Sequence, residues 1–256
     1  MGQTPSTPKP GTKLQVIGAG LSRTGTASFS AALSILLHGP VYHGGTQTTI
    51  GPPTEITTWI TILKHLHTST PSSRHQALTL MAHLLTGYVA ITDCPGAQLI
   101  PELLDLYPDA KVICTVRDPI AWAKSMTRVR DLVRGKRFLR AVFLPLPGMR
   151  HFVEYVGLMR VQWQRVYGGS GGLGGTYERH VEWLREIVPE ERLVFVDVRD
   201  GWEPICRALG REVPCGVPFP RVNDAEAIRG LARWHVWRGL VRWVGVLVVV
   251  VLVTWG

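Results

Sequence analysis

The stretch VIGAGLSRTGTASFSAAL (16–33) is an apolar run, then a loop of small residues around Arg23, then helical spacing. A turn from strand to helix presents backbone N–H groups and the positive end of the helix dipole, which bind phosphate or sulfate. Arg23 adds a planar fork of donors suited to the same oxyanions. In KVICTVRDPIAWAKSM (111–126), an apolar strand ends in Arg117, and Asp118-Pro119 begins a helix as N-cap and first residue. Ser125 lies on that helix. YVAITDCP (88–95) is an apolar strand ending in Asp93. That carboxylate can act as a general base, cap the next turn, or hold magnesium as a Walker B acid. His43, in YHGG (42–45), is the second candidate base. His180 and the cluster His65, His67, His75 and His83 have no evident catalytic partner and read as packed or solvent-facing side chains.

Two common phosphate-loop patterns fit poorly. A dinucleotide fingerprint on Gly18 and Gly20 needs a third glycine where Arg23 stands. It also needs an acid about 20 residues on, and the first acid after the loop is Glu55. A Walker A loop from Gly20 to Gly25 needs lysine where Thr26 stands. This weakens the kinase or NTPase reading without removing it. No metal is expected, since Cys94, Cys114, Cys206 and Cys215 form no CxxC or other ligand spacing. They read as buried thiols of a reducing compartment.

These residues need a scaffold. Strands are expected at 14–20, 40–45, 88–93, 111–118 and 192–198. Helices are expected near 26–37, 54–67, 75–86, 119–134, 149–167, 176–187 and 202–209, with a flexible linker at 168–175. Near-continuous apolar strands separated by helices predict an α/β fold, with a central parallel sheet of about five strands covered on both faces. The 256 residues then divide into a disordered N-terminus (1–12), rich in Pro, Thr and Gly, a P-loop domain (13–222), and a C-terminal helix (223–256).

SRTGTAS (22–28) resembles the 5′-phosphosulfate loop of sulfotransferases that use 3′-phosphoadenosine 5′-phosphosulfate (PAPS). Arg117 and Ser125 resemble that family's 3′-phosphate site, an arginine at a strand end and a serine eight residues on. GAGLSRTGTAS, GPVYHGG, TDCP, TVRDP, VPEERLVFVDVRDGWEPICRALG and PFPRVND together resemble the fungal-type sulfotransferase-like branch of the P-loop fold, over about residues 13–224. The resemblance implies a three-layer P-loop fold. It implies cofactor binding by Ser22, Arg23, Thr24, Gly25, Thr26, Ala27 and Ser28, with Arg117 and Ser125. It implies transfer of a sulfuryl group to a hydroxyl or amine of a small-molecule acceptor. Arg23 and the loop N–H groups would stabilise charge growing on the 5′-phosphate. Asp93 stands where cytosolic members carry their histidine base. The family's C-terminal Arg-Lys-Gly loop has no counterpart, and Arg221 in PFPRVND is the candidate replacement. The alternatives are a P-loop kinase or NTPase, which would need magnesium, and a non-catalytic nucleotide-binding protein at a membrane.

The net charge of +9 sits in two stripes: 128–140 carries +5 and 229–242 carries +4. Separate stripes point to an anionic small ligand and a membrane surface, not to nucleic acid. WVGVLVVVVLVTWG (243–256) is an unbroken apolar run of roughly 21 Å as a helix. With 239–241 included and Arg242 snorkelling it approaches a membrane span. Basic flanks before the run place the catalytic domain in the cytosol, with a single C-terminal anchor. The opening MGQTPSTPKPGTK has no apolar signal-peptide core, and MGQTPS fits an N-myristoylation pattern at Gly2. Neither the acceptor nor the oligomeric state follows from the sequence.

Overall fold

A computed structural model describes residues 4–133, 135–168, 172–222 and 224–255. The elements are β1 (Val16–Gly18), α1 (Thr26–Leu36), β2 (Val41–His43), α2 (Gly44–Ile50), α3 (Pro53–Thr68), α4 (Pro71–Leu85), β3 (Ala90–Thr92) and α5 (Ile100–Leu106). Next come β4 (Lys111–Val116), α6 (Pro119–Leu132), α7 (Lys136–Phe143), α8 (Phe152–Tyr167), α9 (Gly172–Ile187), β5 (Leu193–Asp197), α10 (Trp202–Leu209) and α11 (Asp224–Trp255). The strands form one five-stranded sheet in the order β2-β3-β1-β4-β5, and every pair is parallel. Side chains alternate across it. Ile17, Ile91 and Val112 enter one core with Trp59, Leu63, Met81 and Leu184. Val16, Ala90 and Ile113 enter the other with Phe29, Leu33 and Ile205. Burial on both faces is why these strands need no polar alternation.

The fold differs from the sequence expectations at several places. Residues 4–12, expected to be disordered, are held against the domain: Lys9 N donates to the Gly87 carbonyl, and the Ser6 carbonyl accepts from Gln47 Nε2 and Tyr88 OH. Gln47 is buried, so its amide needs a partner that this segment supplies. The second strand stops at His43, and α2 begins at the Gly-Gly pair, a poor helix sequence. The His43 ring accepts from Thr46 N and so caps it. The basic run 136–143 is a helix, α7. It buries Leu139, Val142 and Phe143 at a third, smaller core with Leu146 and Met149. In the expected linker 168–175, residues 172–175 already belong to α9, and 169–171 lie outside the described residues. Gly2 and Asn223 also lie outside them. The four cysteines are free, and Cys215 is exposed, not buried.

The loop after β1 is supported from beneath. The Ala19 carbonyl can only accept, so His180 Nε2 donates to it at 2.7 Å. His180 Nδ1 then accepts from Tyr167 OH at 2.8 Å. Trp122, fully buried, donates from Nε1 to the Ser22 carbonyl at 2.9 Å. Burial pushes the His180 pKa down to about 4. The native state therefore refuses a proton that the unfolded chain takes up below about 6.5. This contribution to stability is complete above that pH and is lost as pH falls toward 4. Thermal unfolding in detergent is expected to show that lowering pH from about 7 to 4.5 costs the wild type about 2–3 kcal/mol more than His180→Gln. Equal losses would contradict this account.

Candidate functional site

All strands run parallel, so the turns after β1, β2, β3 and β4 meet at one edge of the sheet. The candidate residues from Ser22 to Ser125 lie on these turns, on the helices that follow or, for His43, at the end of β2. In the turn after β1, Arg23 and Gly25 adopt left-handed backbone angles, φ 78° and 93°. Gly25 is required twice over, because a Cβ there would also lie 2.5 Å from Val198 Cγ2. It is the N-cap of α1, whose first turn holds no acidic residue. Thr26, Ala27 and Ser28 thus present the positive end of the helix dipole. Thr24 Oγ1 bonds the Leu21 carbonyl and lies 2.5 Å from Thr115 Oγ1 of β4, fixing the turn to the sheet.

Two clusters share this turn. The first is cationic. Arg23 Nε donates to Ser125 Oγ at 3.0 Å, and Arg117 Nη1 donates to the Arg23 carbonyl at 3.2 Å. The three residues, read as parts of two subsites, therefore lie in one continuous group. Tyr177 OH accepts from Arg117 N at 2.9 Å, and Asp118 caps α6 through Ala121 N. Val222 N donates to Ser28 Oγ at 3.0 Å, bringing the PFPRVND segment, with exposed Arg221, beside α1.

The second cluster surrounds Asp93, which is 6% exposed. Ser22 Oγ donates to its Oδ1 at 2.5 Å, and Gly45 N donates to its Oδ2 at 3.2 Å. His43 Nε2 lies 3.7 Å from Oδ2 and 3.3 Å from Thr26 Oγ1. The backbone N–H of Thr46 donates to His43 Nδ1 at 3.2 Å. An amide N–H only donates, so Nδ1 is an acceptor and the neutral ring carries its proton on Nε2. His43 therefore points a donor at Thr26 and Asp93, which favours Asp93 over His43 as the proton acceptor. Burial, with Asp93 alongside, pushes the Cys94 thiol up to about 12, so it stays neutral and offers no thiolate.

The sequence reading missed Gly45, Thr46 and Tyr177. Their parts are played by backbone groups or by a distant helix, and no side-chain pattern marks them. Only the glycine pair after His43 carried a signal. A Cβ on Gly45 would lie 2.6 Å from Asp93 Oδ2, and one on Gly44 would lie 2.1 Å from the Cys94 carbonyl oxygen. Chemically, the arrangement can hold oxyanions at Arg23, Arg117, Ser125 and the start of α1, and accept a proton at Asp93.

A family model described as a sulfotransferase domain matches residues 15–228. A protein of Aspergillus versicolor, described as Ava biosynthesis cluster protein M, is 30% identical over 170 residues, covering 62% of this chain. The chain spans 64% of the length of that curated relative.

The close approach of Gly45 to Asp93 makes a stability prediction. Gly45→Ala should cost about 1–3 kcal/mol by overpacking. Gly174→Ala, in α9 with nothing within 4 Å of the added Cβ, should gain roughly 0.5–1 kcal/mol. Thermal unfolding of the two variants checks the contrast.

Proposed function

The chain belongs to the sulfotransferase domain family, and from that premise we propose that it is a PAPS-dependent sulfotransferase acting on a hydroxyl or amine of a small-molecule acceptor. The observation that carries this reading is the joining of Arg23, Arg117 and Ser125 into one donor group beside the start of α1. The residues fit such a donor, because every charged or polar side chain in the group is a cation or can donate a hydrogen bond. PAPS would supply the sulfuryl group and a 3′-phosphate that sets it apart from ATP, and would leave a 5′-phosphate oxyanion. Arg117 and Ser125 would hold the 3′-phosphate. Arg23 and the N–H groups at the start of α1 would stabilise the charge that grows at the 5′ end.

Asp93 takes the acceptor's proton in this reading. Its two oxygens are oriented by Ser22 and Gly45 N, so the carboxylate cannot swing away. His43, with its proton on Nε2, orients the carboxylate and the acceptor oxygen. The domain works at a membrane, on the cytosolic side, with α11 as its anchor. α11 is long and apolar enough to be a candidate span from Glu226 to Trp255.

Selectivity for the 3′-phosphate tests the reading. Isothermal titration should show 3′-phosphoadenosine 5′-phosphate binding well and AMP binding poorly. Arg117 is exposed, so Arg117→Ala should weaken the former by about 1.5–3 kcal/mol, the worth of hydrogen bonds to a charged group. Equal affinities for the two nucleotides would overturn the PAPS assignment.

A further inference from the structure

α11 does not leave the domain as a free tail. A Cβ on Gly239 would lie 2.3 Å from the Val142 carbonyl oxygen of α7. Arg242 Nη1 donates to the Pro145 carbonyl at 3.0 Å, and Trp243 Nε1 donates to the Ala141 carbonyl at 2.8 Å. His235 is buried, with Phe143 of α7 6.2 Å from its ring. Only Val244–Trp255 projects beyond these contacts, and the large apolar residues along it are exposed. That length is about 18 Å at 1.5 Å per residue, against a hydrocarbon core of about 30 Å. Two consequences follow. The projecting helix reaches through little more than one leaflet. To bury all of it, the bilayer surface must come up to Trp243, and therefore to the part of α7 bonded to Trp243 and Arg242.

The outer side of α7 suits that position. Leu139, Val142 and Phe143 face the domain, while Arg137, Phe138, Arg140 and Leu144 face outward. Phe138 is 58% exposed and Leu144 54%. Leu144 directly precedes Pro145, whose carbonyl Arg242 holds. Trp237 on α11 is likewise exposed, and Arg238 lies over the Trp234 ring at 4.2 Å. Neither α7 nor α11 beyond Glu226 contains an acidic residue. Arginines interleaved with apolar and aromatic side chains, continuous with an apolar helix, match anionic headgroups above acyl chains.

We propose that α7 is a second membrane-contact element: Arg137 and Arg140 bind anionic phospholipid headgroups while Phe138 and Leu144 enter the acyl boundary, and α11 inserts into a single leaflet beside them. This rests on the anchor reading of α11, and the test separates the two.

The test uses full-length protein with Cys215→Ser, which removes the exposed thiol. One new cysteine carries an environment-sensitive nitrobenzoxadiazole label: Phe138→Cys, Leu144→Cys, Val248→Cys on α11, or Glu190→Cys in the turn before β5. Each is reconstituted with phosphatidylcholine vesicles, with and without phosphatidylserine, and quenched with iodide. The expected result is shielding at 138, 144 and 248, but not at 190. Phosphatidylserine should strengthen the shielding at 138 and 144, and Arg137→Gln with Arg140→Gln should reduce that gain several-fold. Shielding at 248, with 138 and 144 quenched as strongly as 190, would overturn this proposal and leave the anchor intact. Loss of shielding at 248 as well would remove both. Shielding at 138 and 144 that persists in detergent and grows with protein concentration would mean a second copy covers α7, which also overturns the lipid assignment.

Discussion

The hydrogen bond from Ser22 Oγ to Asp93 Oδ1 ties the turn after β1 to the turn after β3, and the rest of the site depends on it. The bond is available because β3 lies directly beside β1 in the sheet, although β2 and four helices intervene in the chain. Ser22 is held in place by Trp122 at its carbonyl, and the loop three residues earlier by His180 at the Ala19 carbonyl. Asp93 is held on its other oxygen by Gly45 N, where only glycine leaves room. One side of Ser22 therefore faces the carboxylate cluster. The next residue, Arg23, turns to Ser125 through a left-handed backbone. The Asp93 carboxylate and the Arg23–Arg117–Ser125 group are fixed by the same few residues of chain.

Much of this was legible in the sequence where chemistry and local spacing coincide. Arg117 closes a strand and Ser125 sits eight residues on, two turns into a helix announced by Asp118-Pro119, so both land on one side of the turn. Arg23 and Asp93 were legible as a loop arginine and a strand-end acid. The order of their strands in the sheet was not, because periodicity carries no information about which parallel strands are neighbours. The orientation of the His43 ring was hidden for a similar reason. It depends on Thr46 N, a backbone group in a helix that the Gly-Gly pair argued against. The docking of residues 4–12 follows from the buried amide of Gln47, a demand visible only once Gln47 is known to be inside.

The apolar helix α11 and the site are also joined by packing. α11 seats His235 against Phe143 of α7, and Phe143 meets Phe152 of α8 edge-on at 6.1 Å. One turn along α8, burial pushes the phenol of Tyr155 up, and the Asp93 charge nearby adds to that effect. Aromatic contacts thus run from α11 through Phe143 to Phe152, and the same helix carries Tyr155 near Asp93. The basic run in α7 belongs to a stripe that reads from sequence as a match for an anionic ligand or a membrane surface, and it lies in the middle of that connection. It buries its apolar side on the domain and leaves its arginines outside.

The central claim is that Asp93, oriented by Ser22 and Gly45, accepts the proton next to the Arg23–Arg117–Ser125 group. Its most direct test compares wild type with Asp93→Asn, using PAPS labelled with radioactive sulfur and a panel of phenols, alcohols and amines. The two side chains are nearly the same size, so folding and donor affinity should be unchanged. Label transfer should fall by about 10²–10⁴. Transfer by Asp93→Asn at the wild-type rate, with donor binding intact, would contradict the account.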